Sequence, residues 1–174
     1  MKTFTQFLES ENVVQQAVTF LHLVTLASRN GAMPSDEVLT FLSQTAKGDG
    51  YKLFRGLSIA NMTKQEAEEF YQLKAGDEVP ERFLSPSGSQ VTLHATKSRA
   101  VAESYSQEGV AGLVIEFDAT LDQVICDTTN LTDIIGFSQL DDMDDWEYFA
   151  QAQEVLLYRD SVKSAKVVMV AGPR

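Results

Sequence analysis

The sequence predicts an α+β fold in which an N-terminal helical lobe packs on a mixed β-sheet core. Three observations carry that expectation. Apolar residues recur at helical spacing up to about residue 46, and short strand-like runs dominate after it. Between the two textures lies only the break Lys47-Gly48-Asp49-Gly50, which argues for a lobe on one core rather than a separate helical domain on a linker. The 174 residues, 44% of them hydrophobic, are enough for one ordinary globular domain. The expected organisation is a single domain over 1–174, with the helical lobe at 1–48 and a β-rich core at 49–174.

Ser10 is placed to cap a helix starting at Glu11, whose apolar face is Val14, Ala17, Val18, Leu21 and Val24, and Asn30-Gly31 ends it. His22 on its flank reads as a packing or surface histidine. Pro34-Ser35-Asp36-Glu37 opens a second helix to about Ala46, carrying Val38, Leu39, Phe41 and Leu42. Tyr51 to Arg55 reads as a strand. Thr63-x-x-Glu66 is a capping box and opens a helix to about Leu73. Pro80 to Gln90 is rich in proline and serine and reads as loop. Val91 to Ala95 is a strand, Lys97 to about Tyr105 a helix, and Gly112–Phe117 and Gln123–Cys126 two further strands. A short helix over Asn130–Ile135 and a loop over Phe137–Ala150 precede the last strands, Glu154–Tyr158 and Ala165–Val170.

The net charge of -11 and pI near 4.5 suit a soluble acidic surface and disfavour non-specific binding to nucleic acid or anionic membrane. The single cysteine, Cys126, allows no internal disulfide, and a cytoplasmic location is expected. Thr3, Gln6, Glu9 and Glu11 interrupt any signal-peptide run. Val13 to Leu26 is too polar and too short to span a bilayer, so no membrane association is expected. One cysteine and two distant histidines make no zinc site, and neither a P-loop nor a Gly-x-Gly-x-x-Gly fingerprint is present. No metal is expected.

Three short motifs carry candidate chemistry. Arg55 is a planar cationic fork at a strand end, followed by Gly56, which lets a ligand approach the backbone; alone it also reads as a surface arginine before a turn. His94 and Thr96 share one strand face with Thr92, and that polar face lines either a cleft or solvent. Glu154 stands among apolar neighbours on Gln153-Glu154-Val155-Leu156-Leu157. A buried carboxylate there needs a partner or a task, whereas one at a sheet edge faces water.

Read together, the three resemble the site of the arginine-serine-glutamate class of mono-ADP-ribosyltransferases. Leu53-Phe54-Arg55-Gly56-Leu57 resembles that family's first strand, where an aromatic precedes Arg-Gly. Leu73 to Val79 resembles its Val-Gly-Asp approach to a Ser-Thr-Ser strand, whose last serine Thr96 matches. Val101-Ala102 and Tyr105 fall where the family has a hydrophobe, an alanine and an aromatic. Gln153-Glu154-Val155-Leu156-Leu157 looks like the strand carrying the catalytic glutamate. The resemblance covers about residues 51 to 158, and its texture is similar to that of the small transferases of T-even-type bacteriophages.

The resemblance implies an ADP-ribosyltransferase-type sheet, NAD as substrate, and ADP-ribose transfer to an acceptor in a bacterial host's cytoplasm. Arg55 is expected to bind an NAD phosphate and the Gly56 backbone the nicotinamide amide. Thr96 is expected to hydrogen-bond near Glu154 and orient it, and Tyr105 or Phe83 to pack on a ring of NAD. Glu154 is expected to stabilise the oxocarbenium-like transition state. Lys97 and Arg99 are expected to add positive potential for the pyrophosphate.

Two departures from the family pattern stand out. His94 occupies the first serine position, where it can still donate to a ribose oxygen. Ala152 stands where arginine-specific members carry a second Glu or Gln, so the acceptor-activating carboxylate is missing. The run Asp141-Asp142-Met143-Asp144-Asp145-Trp146-Glu147 lies in a stretch without Lys or Arg from Phe137 to Ala150. It reads as a solvated acidic loop, or as a recognition loop for a basic protein surface with Trp146 as anchor. Its charge repels a phosphate backbone and so favours a protein acceptor over nucleic acid. It lacks the glycine and glutamate spacing of a calcium loop. The rival expectations are an NAD glycohydrolase, with water as acceptor, and a non-catalytic acidic protein that blocks a basic partner.

Overall fold

The computed structural model of the chain describes residues 4–25, 32–59, 62–86, 90–107, 112–136, 140 and 146–171. The first helix, α1, runs Phe4–Thr25, so Ser10 lies inside it rather than capping it. The Ser10 side chain thus follows rather than precedes the first turns of the helix. The expected cap at Asn30-Gly31 lies outside the described residues. A second helix, α2 (Asp36–Ser43), starts where Ser35 accepts a hydrogen bond from the Val38 N–H. Ala17, Leu21 and Val24 of α1 and Val38 and Leu42 of α2 form one buried cluster with Ile125, Cys126 and Leu156 of the sheet. The helical lobe and the sheet therefore share a core.

The sheet contains β1 (Tyr51–Ser58), β2 (Thr92–Thr96), β3 (Gly112–Ala119), β4 (Val124–Asp127), β5 (Glu154–Tyr158) and β6 (Lys166–Ala171). Their order is β4-β5-β2-β1-β3-β6, and every strand pairing is antiparallel. The expected mixed sheet is thus corrected to an antiparallel one; the α+β class stands. Apolar patterning does not encode strand direction, because both pairings alternate side chains in the same way. At the β6 edge, residues 76–79 lie alongside the strand through Gly76 N–H to Val167 O and Val79 N–H to Ala165 O, which covers part of that edge.

Helix α3 (Lys64–Phe70) begins with the expected capping box, Thr63 and Glu66 satisfying each other's backbone donors. Phe70 at its end packs with Leu53, Leu57, Leu93, Leu157 and Phe83 in the larger core cluster. Helix α4 (Arg99–Gln107) lies against β1 so closely that a Cβ at Gly56 would sit 2.5 Å from the Ala102 carbonyl oxygen and 2.8 Å from the Ser106 nitrogen. The missing side chain of Gly56 therefore makes room for α4. The stretch expected to be all loop before residue 150 ends in a further helix, α5 (Trp146–Gln151). Asp141, Asp142, Asp144 and Asp145 lie outside the described residues. No helix among the described residues is long and apolar enough to cross a membrane.

A buried polar network ties the lobe, the strands and α4 together. The Asp127 carboxylate, 1% exposed, accepts from Lys97 Nζ at 3.0 Å and from the Tyr51 hydroxyl at 3.0 Å. Its backbone N–H donates to Thr45 Oγ1 at 2.7 Å. Burial, reinforced by the Asp127 charge, pushes the Tyr51 hydroxyl up to about 12 against the opposing Lys47 N–H, so it remains a donor at neutral pH.

Gly56→Ala tests the helix contact. We expect a loss of about 2 kcal/mol or more in urea unfolding, because two backbone groups must shift. Gly48→Ala is the control: Gly48 has φ +84° with open space around it, and its backbone strain alone costs about 1 kcal/mol. Equal effects would contradict the close packing of α4.

Candidate active site

The sheet is nearly divided at its centre. β1 pairs with β3 along its whole length, from Tyr51 with Ala119 to Ser58 with Gly112. β2 pairs likewise with β5, from Thr92 with Tyr158 to Thr96 with Glu154. Between β1 and β2 the only pair is Phe54 with Thr96. Beyond it the strands part, and a cavity of about 520 Å³ opens between the two half-sheets.

Arg55, Gly56, His94, Thr96, Tyr105 and Glu154 all line this cavity. They come from β1, β2, α4 and β5, and the fold brings these six to one place. Arg82, Glu66 and Ala152 line it too.

Glu154 is 7% exposed. Thr96 faces it directly across the β2–β5 ladder and His94 faces Leu156, so His94 is its diagonal neighbour on the same face. His94 Nδ1 contacts Glu154 Oε1, and His94 Nε2 lies 3.0 Å from the Thr92 hydroxyl. The second carboxylate oxygen, Oε2, is buried with no hydrogen-bond partner among the described residues. A buried, unsatisfied polar atom costs about 1–3 kcal/mol, more when charged. Glu154 lines the cavity, and a carboxylate with one oxygen unmet gains by accepting a ligand hydroxyl there.

The Thr96 hydroxyl hydrogen-bonds beside Glu154 through the backbone rather than to the carboxylate itself. It donates to the Ala152 carbonyl at 2.5 Å and accepts from the Ser98 N–H at 3.0 Å. Thr96 thereby fixes the turn leading into Glu154 and the start of α4, while the carboxylate itself is held by His94. The Glu154 carbonyl accepts from Thr128 Oγ1 at 2.8 Å, which clamps the backbone from the other side. Between α5 and β5 stands Gln153 at φ +52°, a left-handed conformation unusual for a residue with a side chain. It turns the chain so that β5 starts on Glu154, and its carbonyl accepts from the Lys97 N–H at 3.1 Å.

The cations differ from expectation. Lys97 is committed to Asp127, and Arg99 pairs with Glu103 on α4. Neither is among the cavity's lining residues. Among the described residues, the two cations that line the cavity are Arg55 and Arg82. Arg55 is half-buried and donates to the Leu84 carbonyl at 3.0 Å. Arg82 pairs with Glu69 and lies 4.9 Å from the centre of the Phe83 ring. Sequence reading missed Arg82 because it fell in a stretch taken as loop, although Pro80 directly before a 3-10 turn over Glu81–Phe83 is a start signal of the kind helices use.

Of the two aromatic candidates, Phe83 is buried and packed edge-on against Phe70, with ring centres 5.9 Å apart. Tyr105 is half-buried, its hydroxyl 2.9 Å from that of the exposed Tyr148 on α5. Among the described residues no group of three His, Cys, Asp or Glu is arranged to hold a metal ion. No family model, curated protein or solved structure matches the chain.

Gln153→Gly removes the left-handed strain without touching the cavity. Its urea midpoint is expected to rise, corresponding to about 1 kcal/mol. A lower midpoint would mean that the Gln153 side chain contributes more than its backbone costs.

Proposed function

We propose that the cavity binds NAD and that the chain is a mono-ADP-ribosyltransferase. One observation carries this reading. Residues far apart in sequence, whose motifs together resemble one family's site, line a single cavity where the central strands part. The cavity also has the size of a small-ligand site.

The residues fit a dinucleotide, with arginines of the cavity for its phosphates and a carboxylate for the ribose at its nicotinamide bond. Arg55, with Arg82 nearby, supplies charge-assisted donors for a phosphate. Glu154 Oε2 accepts a hydroxyl of the nicotinamide ribose. As the C1′–N bond breaks, nicotinamide leaves with the bonding electron pair and positive charge develops on the ribose. A carboxylate already fixed by His94 on Oε1 stabilises that charge without having to reorganise. Tyr105 provides a ring face in the same cavity. The acceptor then bonds to C1′ and releases a proton. We take it to be a protein of a bacterial host, acted on in the cytoplasm. A second reading, NAD glycohydrolase, is favoured by the apolar Ala152 lining the cavity where a carboxylate could prepare a basic acceptor.

Labelled NAD incubated with bacterial lysate tests the reading, with free nicotinamide and labelled macromolecules measured together. We expect Glu154→Gln to lower nicotinamide release about 10²-fold, a barrier increase of about 3 kcal/mol. Label that survives nuclease but not protease marks a protein acceptor, and nicotinamide without transferred label marks the hydrolase. Neither product from folded wild-type protein would leave a non-catalytic acidic binder as the better account.

Arg55→Lys is expected to weaken NAD affinity about tenfold by calorimetry, since the planar fork is lost although the charge remains. Unchanged affinity would remove Arg55 from the phosphate site.

A further inference from the structure

The two oxygens of Glu154 have different surroundings. Oε1 is held by His94 Nδ1, and His94 Nε2 meets Thr92 Oγ1 at 3.0 Å. Oε2 is buried and unpartnered among the described residues, on a residue that lines the cavity. A Thr92 hydroxyl that donates to Nε2 leaves the ring proton on Nδ1, aimed at Oε1. This end of the cavity has no second carboxylate among the described residues. Two positions before Glu154 stands buried Ala152, and Gln151 and Gln153 are exposed. The other carboxylate lining the cavity, Glu66, lies with Ser58, Met62 and Arg82 past the opposite end of β1. It accepts from both the N–H and the hydroxyl of Thr63, which hold it below the usual carboxylate range.

We propose that His94 and Glu154 act as one acid–base pair, and that this pair suits a hydroxyl acceptor – water, an alcohol side chain or a sugar hydroxyl – rather than a guanidinium. The inference rests on the NAD reading above. A guanidinium arrives as a permanent cation with a pKa above about 12, and needs a carboxylate of its own to hold it and take its proton. Glu154 can take a proton beside the ribose, but among the described residues no further carboxylate lines this end to hold a cation as well, and Ala152 leaves that place apolar. A hydroxyl arrives neutral and needs a base only as its oxygen bonds to carbon.

The step balances without an oxidant or reductant. The C1′–N bond breaks and its electron pair leaves with nicotinamide. A lone pair of the hydroxyl oxygen forms the C1′–O bond, and the hydroxyl proton passes to Glu154 Oε2. The proton shared between Oε1 and Nδ1 keeps the protonated pair compact, and one proton goes to solvent as the products leave. The sum is NAD plus hydroxyl giving O-linked ADP-ribose, nicotinamide and one proton.

The test gives the full-length chain NAD in buffer alone, with methanol, or with agmatine as a small guanidine, and separates products by chromatography and mass. We expect nicotinamide in all three, O-methyl ADP-ribose growing with methanol, and no agmatine adduct. His94→Asn keeps an N–H donor near Oε1 but cannot take a proton. It is expected to fold, to keep its KM for NAD within about twofold and to lose about 10²-fold in kcat. An agmatine adduct, or wild-type kcat in His94→Asn, overturns the proposal while leaving the NAD reading intact. No nicotinamide from the folded wild type with any of the three overturns that reading and this proposal with it.

Discussion

The pairing of β1 with β2 at Phe54 and Thr96 alone is the constraint on which the site depends. Were the ladder to continue, Gly56 would face His94 across it and no space would remain between them. Because it stops, each central strand is held by its outer partner: β1 by β3, and β2 by β5. The six strands become two half-sheets hinged at one point. Gly56 contributes from the other direction, letting α4 lie against β1 and bring Tyr105 to the cavity.

Charge placement follows the same division. The buried Asp127 has Lys97, Tyr51, Thr129 and Asn130 around it, so its ionised form is fully met, and that network joins the helical lobe to the sheet. Breaking such a buried pair is costly, which suits a structural role. Glu154 is nearly as buried but, among the described residues, only one of its oxygens has a partner. Its backbone is clamped by Thr128 and approached through a strained Gln153, so the surroundings hold the carboxylate where its free oxygen costs stability. One buried carboxylate is built into the fold; the other is kept available at the cavity.

Much of this was legible in the sequence because it is local. The Thr63–Glu66 capping box, the Ser35 helix start and the alternation of β2 need only neighbouring residues to define them. The convergence of Arg55, His94, Thr96, Tyr105 and Glu154 was legible only through the family resemblance, since nothing local links their strands. What was not legible depends on partners distant along the chain. Lys97 looks like a free cation at a helix start until Asp127 is placed beside it. Gly56 borders the cavity, but the need of α4 for its missing side chain is visible only in the fold. Thr96 reads as an orienting residue near Glu154, and the group through which it acts, the Ala152 carbonyl, appears only in the fold. The antiparallel sense of the sheet left no mark in the apolar pattern, and α5 follows an acidic run that reads as loop.

The most direct measurement of the central claim is a crystal structure of the chain with an NAD analogue whose nicotinamide ribose is carbocyclic and resists cleavage. The account predicts the analogue between the two half-sheets, with a hydroxyl of its nicotinamide-side ring on Glu154 Oε2 and a phosphate oxygen on Arg55. An analogue bound elsewhere, or a cavity left empty at saturating concentration with Glu154 Oε2 still unpartnered, would contradict it.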